Sequence, residues 1–172
     1  TALLALERAE ELRKAGVSDD IITLSAELLD TIGISVIIDA QIATTTAQIH
    51  SMHDVTEGGL ITGLREVATA SGLGLAIEEG SVPVLPTTGT VCQALDLDPL
   101  GLLASGAMII TLSPTEVPSL IAELEKNGID GWEIGMMTAP EEGLVYIGRE
   151  GEVELPQFRR DELARYFSQL SA

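Results

Sequence analysis

The chain has 172 residues, 45% of them hydrophobic and only 3% aromatic, which is enough apolar material for one domain with an aliphatic core. With 9 basic against 27 acidic residues the formal net charge is −18, which excludes nucleic acid and anionic membrane surfaces as partners by repulsion. A single cysteine permits no internal disulfide, and no signal peptide or bilayer-length apolar run is apparent, so a cytoplasmic protein is expected.

The chain begins at Thr1 without an initiator methionine, as a fragment would. TALLALERAEELRKAG reads as a helix with Leu3, Leu6 and Leu12 inward and Gly16 as its stop; Ser18 or Asp19 then caps a second helix through Asp30. Residues 34–47 are ambiguous, because β-branched side chains argue strand while Val36, Ala40 and Ala43 fit a helical face. IHSMHD then reads as a short strand, VTEGG as a turn, and LITGLREVA as an amphipathic helix with Leu60, Ile61, Leu64, Val67 and Ala68 on one face.

That strand, turn and helix carry the chemistry. Gly58 and Gly59 remove both side chains where the backbone turns, so a ligand or another backbone can come close. The first amides of the following helix, at the positive end of its dipole, form a site that phosphate or sulfate can occupy. His53, Asp54, Thr56 and Glu57 ring it, although Glu57 would repel a phosphate placed beside it. The alternative is a capping box, in which the Asp54 carboxylate caps the helix and Glu57 reaches back to the Asp54 amide. Local chemistry leaves both open. His50, His53 and Asp54 make a poor metal set, because histidines three apart point to opposite faces of a straight strand and the sequence holds no third one.

After the helix stops at Ser71 and Gly72, LGLAIE reads as a strand in which Leu73, Leu75 and Ile77 alternate with smaller residues. Pro83 and Pro86 mark an extended connection, and Thr87 or Thr88 caps a helix carrying Val91, Cys92 and Leu95. Cys92, in an apolar run, reads as a buried structural thiol rather than a nucleophile or ligand. LDLDPLGLLASG reads as a turn and short helix, and residues 106–112 as a buried strand. Ser113 or Thr115 caps the next helix, with Pro118 in its first turn, Val117, Leu120, Ile121 and Leu124 inward, and Asn127 and Gly128 at its end. WEIGMM reads as a strand and EGLVYIGREGEVEL as a hairpin turned near Glu150 and Gly151. Trp132 and Tyr146 read as packing residues, not a platform for stacked bases. A last helix, 161–170, shows Leu163, Tyr166, Phe167 and Leu170 at helical spacing. The fold class is α+β, a layered mixed β-sheet with packed helices.

MHDVTEGGLITGLREVA resembles the signature segment of the aminoimidazole ribonucleotide (AIR) synthetase-related superfamily. ISVIIDAQIA, SGLGLAIEEGSVPV, ALDLDPLGLLASGAMIITL and LPQFRRDELARYF follow the order of that superfamily's C-terminal domain, nearest its hydrogenase-maturation-like branch. The resemblance favours helix for 34–47 and implies a partly ferredoxin-like domain over 34–172, with 1–33 a helical extension or linker from a missing N-terminal ATP-binding domain. It implies an ATP-utilising enzyme with magnesium that activates a small-molecule substrate by phosphoryl transfer, within a homodimer. No nucleotide is expected on this chain alone. Carried over residue by residue, it implies His53 and Asp54 as catalytic residues, His53 donating a hydrogen bond or shuttling a proton and Asp54 orienting the turn. Thr56, Glu57, Gly58, Gly59, Ser105 and Gly106 become the phosphate- or substrate-binding set, with no metal ligand among them. Two departures stand out: many relatives carry arginine where this chain has Glu57, and the sequence ends QLSA without the terminal cysteine of true hydrogenase maturation proteins. A non-catalytic dimerisation or ligand-sensing module with the same fold is the competing expectation.

Overall fold

The structure is a computed structural model and describes residues 1–149 and 151–169. It begins with four short helices, α1 (Ala2–Glu7), α2 (Ala9–Lys14), α3 (Asp19–Ala26) and α4 (Leu28–Thr31). Ser18 caps α3 by accepting the Ile21 amide, as its type and position predict. A break at Arg8 divides the expected first helix and re-phases it: Leu4, Ala5 and Leu12 are buried, while Leu3 and Leu6, expected inward, are exposed. Then follow α5 (Ile37–Thr46), β1 (Ile49–Val55), α6 (Gly59–Ser71), β2 (Gly74–Glu78), α7 (Pro86–Leu95), β3 (Ala107–Leu112), α8 (Val117–Lys126), β4 (Gly135–Thr138), β5 (Leu144–Gly148), β6 (Gly151–Glu154) and α9 (Glu162–Gln169).

Among the described residues the strands form two sheets rather than one. β1 and β3 make an antiparallel ribbon, and β4-β2-β5-β6 make a mixed sheet whose parallel pair is β2 and β5. α6 lies between them. Its buried face, Ile61, Leu64, Val67 and Ala68, shares one core with Val55 and Ile109 of the ribbon and Leu75 and Ile77 of the sheet. On the ribbon's other side α5 and α8 bring Ala43, Leu120 and Leu124 against Ile110 and Leu112. A third core joins α1, α2 and α3 to Val91 and Cys92 of α7 and to Leu163, Tyr166 and Phe167 of α9. The result is a layered α+β molecule, and none of its described helices is long and apolar enough to cross a membrane.

Several local expectations give way to tertiary demands. Pro86, not a threonine, starts α7, because its fixed φ suits the first helical position and its missing amide proton is no loss there. Residues 96–106 form turns without the expected short helix: Asp96 adopts a left-handed φ of 54° and the Asp98 carboxylate accepts the Leu100 amide. Among the described residues β3 pairs with β1 alone, so just Ile109 of the expected buried strand is buried. Glu116 precedes α8, while Ser113 and Thr115 hydrogen-bond each other at 2.9 Å. Trp132, expected to pack, lies ahead of β4 and is 54% exposed, and Leu73, just before β2, is exposed as well. The hairpin residue Glu150 and the final-helix residue Leu170 lie outside the described residues.

Candidate functional site

Alternation along β1 sorts the candidate side chains. His53 and Val55 face α6, whereas Asp54 lies on the opposite, exposed side of the ribbon. His53 Nε2 is 2.8 Å from Glu66 Oε2 on α6. Gly63, one turn before Glu66, makes room for that contact, since a Cβ there would stand 3.2 Å from His53 Cδ2 and 3.1 Å from Ile109 Cδ1. Glu66 was missed in the sequence; its only signal was the i, i+3 spacing from Gly63, which places both on the helix face that meets β1.

Beyond Val55 the chain enters the glycine turn. Thr56 and Glu57 are exposed, Gly58 and Gly59 are buried, and both glycines are left-handed at φ +81° and +66°. No capping box forms: Asp54 stays in the strand, Glu57 is exposed outside the helix, and Gly58 occupies the cap position without a side-chain capping bond. The amides of Gly58, Gly59 and Ile61 have partners within the chain. Gly58 donates to Asp161 Oδ2 at 2.7 Å, Gly59 donates to the Thr56 carbonyl at 3.3 Å, and Ile61 donates to the Leu100 carbonyl at 3.2 Å. Gly59 also runs against backbone, for a Cβ there would stand 2.7 Å from the Leu102 carbonyl oxygen. The Gly58 amide thus already holds a carboxylate, and the Leu100 and Leu102 carbonyl oxygens stand beside Gly59.

The structure does bring the second candidate stretch beside the first. The Thr56 carbonyl accepts the Ala104 amide at 3.3 Å, so the exposed Ser105 lies next to the turn. Gly106 has φ +96°, and a Cβ there would stand 2.6 Å from the Gly33 carbonyl oxygen, so this glycine is required where the N-terminal segment passes over the loop. His50, at the register shift of β1, is exposed and does not converge with His53. Among the described residues no group of three or more His, Cys, Asp or Glu side chains is gathered as metal ligands would be.

Asp161, 103 residues away from Gly58 in sequence, is the participant that sequence reasoning overlooked. It precedes α9 in a strap that crosses the turn. Leu155 is buried in the α6 core, and its carbonyl and that of Pro156 accept from Arg65. Phe158 packs on Gly101, and the Glu162 amide donates to the Gly101 carbonyl at 3.0 Å. Glu162 is buried; its bond from Arg165 holds its carboxyl below the usual carboxylate range, helped by the Asp98 amide. Cys92 lies in the N-terminal core, where burial pushes its thiol up to about 11, the opposite of what a nucleophilic thiolate needs.

Residues 5–147 match the family model described as AIR synthase related protein, C-terminal domain. Over 85 residues the chain is 32% identical to the carbamoyl dehydratase HypE of Cupriavidus necator, covering 49% of this chain and 24% of that protein. The structure of Escherichia coli HypE, a hydrogenase maturation protein, superposes with a TM-score of 0.67 at 25% identity, covering 83% of this chain and 47% of that one. HypE solved in complex with ATP matches with a TM-score of 0.59 at 24% identity over 84% of this chain and 41% of its own, a likeness of fold. The chain thus spans less than half the length of these relatives. With the family model covering most of its length, the chain belongs to the AIR synthase related proteins as a C-terminal domain.

Proposed function

We propose that this chain is the C-terminal half of an ATP-utilising enzyme of the AIR synthase-related kind, inactive without an N-terminal ATP-binding half and working in a homodimer. The observation that carries the reading is the family match over 5–147 in a chain that spans 47% of E. coli HypE. ATP with magnesium would supply activation of a small substrate's oxygen by phosphoryl transfer. Because the Gly58 amide already holds a carboxylate, the phosphates fall to the other half, and this chain offers the exposed side chains of Thr56, Glu57 and Ser105 to the substrate end of the cleft, with Asp54 on the opposite face of the ribbon. His53, held by Glu66, is the group able to give or take a proton there. Titration of this chain with Mg-ATP in a calorimeter is expected to give no saturable heat at millimolar nucleotide; saturable binding would mean that the nucleotide site is complete here and would refute the division between halves.

A second reading, a non-catalytic dimerisation or ligand-sensing module, is favoured by the same closed glycine turn. The two diverge in the complete two-part protein. If His53→Ala abolishes turnover while leaving the fold intact, the enzyme reading gains; a complete protein that turns nothing over, with or without His53, points to the module.

A further inference from the structure

We propose that Asp161 is the resident anion of the glycine turn: its carboxylate closes the turn to external phosphate and latches the C-terminal helix α9 onto α6. The inference deepens the reading above, since the turn is the segment that carries the family likeness, and it assigns that segment a self-satisfied state.

One carboxylate serves two helix starts. Asp161 Oδ2 accepts the Gly58 amide at 2.7 Å ahead of α6, and Oδ1 accepts the Leu163 amide at 2.8 Å at the start of α9. The first distance is that of a charge-assisted bond, about 2.7–2.9 Å. Each helix presents its positive end to the same charge, so each stabilises it. A phosphate would have to displace this group while meeting the Leu100 and Leu102 carbonyls around Gly59 and the acid Glu57 beside it. Asp161 is also stationed from behind. Glu162 bonds to the 98–101 loop through both its amide and its carboxylate, and α9 packs Leu163, Tyr166 and Phe167 on the N-terminal core. The backbone that carries the carboxylate is thereby held beside the turn.

The test uses the full chain labelled with ¹⁵N. Inorganic phosphate added to millimolar levels at constant ionic strength is expected to leave the Gly58 and Gly59 amide resonances unmoved. In Asp161→Ala, hydrogen exchange at Gly58 and through α9 is expected to accelerate together, by at least about tenfold. Saturable phosphate-dependent shifts at Gly58 and Gly59 in the wild type, or unchanged protection of Gly58 in Asp161→Ala, would overturn the proposal. Should the alanine variant fail to fold, Asp161→Asn keeps the size with a neutral acceptor and is expected to show the same coupled acceleration to a smaller degree, while the wild-type titration needs no variant. Mg-ATP binding elsewhere on the chain would leave Gly58 silent, so failure of the two-halves reading is told apart from failure of the latch.

Discussion

At Gly59 two demands coincide, a left-handed backbone and a carbonyl oxygen where a side chain would begin. Gly72, which ends α6 at φ +65°, meets only the first, since nothing lies within 4 Å of a Cβ built there. Gly72→Ala is therefore expected to cost about 1–2 kcal/mol, whereas Gly59→Ala should cost about 3 kcal/mol or more because backbone must also shift. Urea unfolding of the two variants checks the difference; equal losses would mean that the Leu100 to Leu102 segment yields freely. The same residue scale shows why the glycine pair was legible but its purpose was not. A double glycine announces close approach, and only coordinates say that what approaches is the chain's own carbonyls and a carboxylate from position 161.

Among the elements, α9 and its strap are held by a second carboxylate besides that of Asp161. Glu162 is buried, accepts the Asp98 amide at 3.0 Å and is bonded to Arg165, and its carboxyl is held low chiefly by that arginine. A carboxylate lowered in the folded state contributes stability that is present above its unfolded value, about 4.3, and is lost as pH falls through the lower folded value. Wild-type stability is thus expected to decline more steeply below about pH 4.3 than that of Glu162→Gln. At neutral pH the variant should be weaker by about 1–3 kcal/mol. Denaturant curves across that range, with α9 followed by hydrogen exchange, make the comparison. Parallel pH profiles would remove Glu162 from the acid sensitivity. α9 was legible from its apolar spacing, but its anchoring was not, because local spacing is silent on a bond from Asp161 to a second helix far away in sequence.

At the scale of the whole molecule the net charge of −18 works against compactness. Salt shortens the range of that repulsion from about 30 Å at 0.01 M to about 10 Å at 0.1 M. Exposed pairs such as Lys126–Glu123 and Arg13–Glu10 contribute little that screening could remove. The melting temperature is therefore expected to rise across this salt range, by about 2–4 °C for each kcal/mol of repulsion relieved. A melting point that stays level or falls would show that attractive pairs outweigh the excess of acid.

Local patterns were sufficient for most helices and strands: the apolar stripe of α6, the serine cap of α3 and the glycine stops after α2, α6 and α8 each act over a few residues, where sequence neighbours are also spatial neighbours. Composition alone settled an aliphatic core, and MHDVTEGGLITGLREVA with the ordered segments around it pointed to the family. Tertiary structure decided the rest. Division into a ribbon and a separate mixed sheet, exposure of Leu3, Leu6 and Trp132, pairing of His53 with Glu66, and occupation of the glycine turn by Asp161 all depend on which surfaces meet across the fold. Such contacts join residues from 13 to 103 positions apart, a separation over which helical or strand periodicity carries no information.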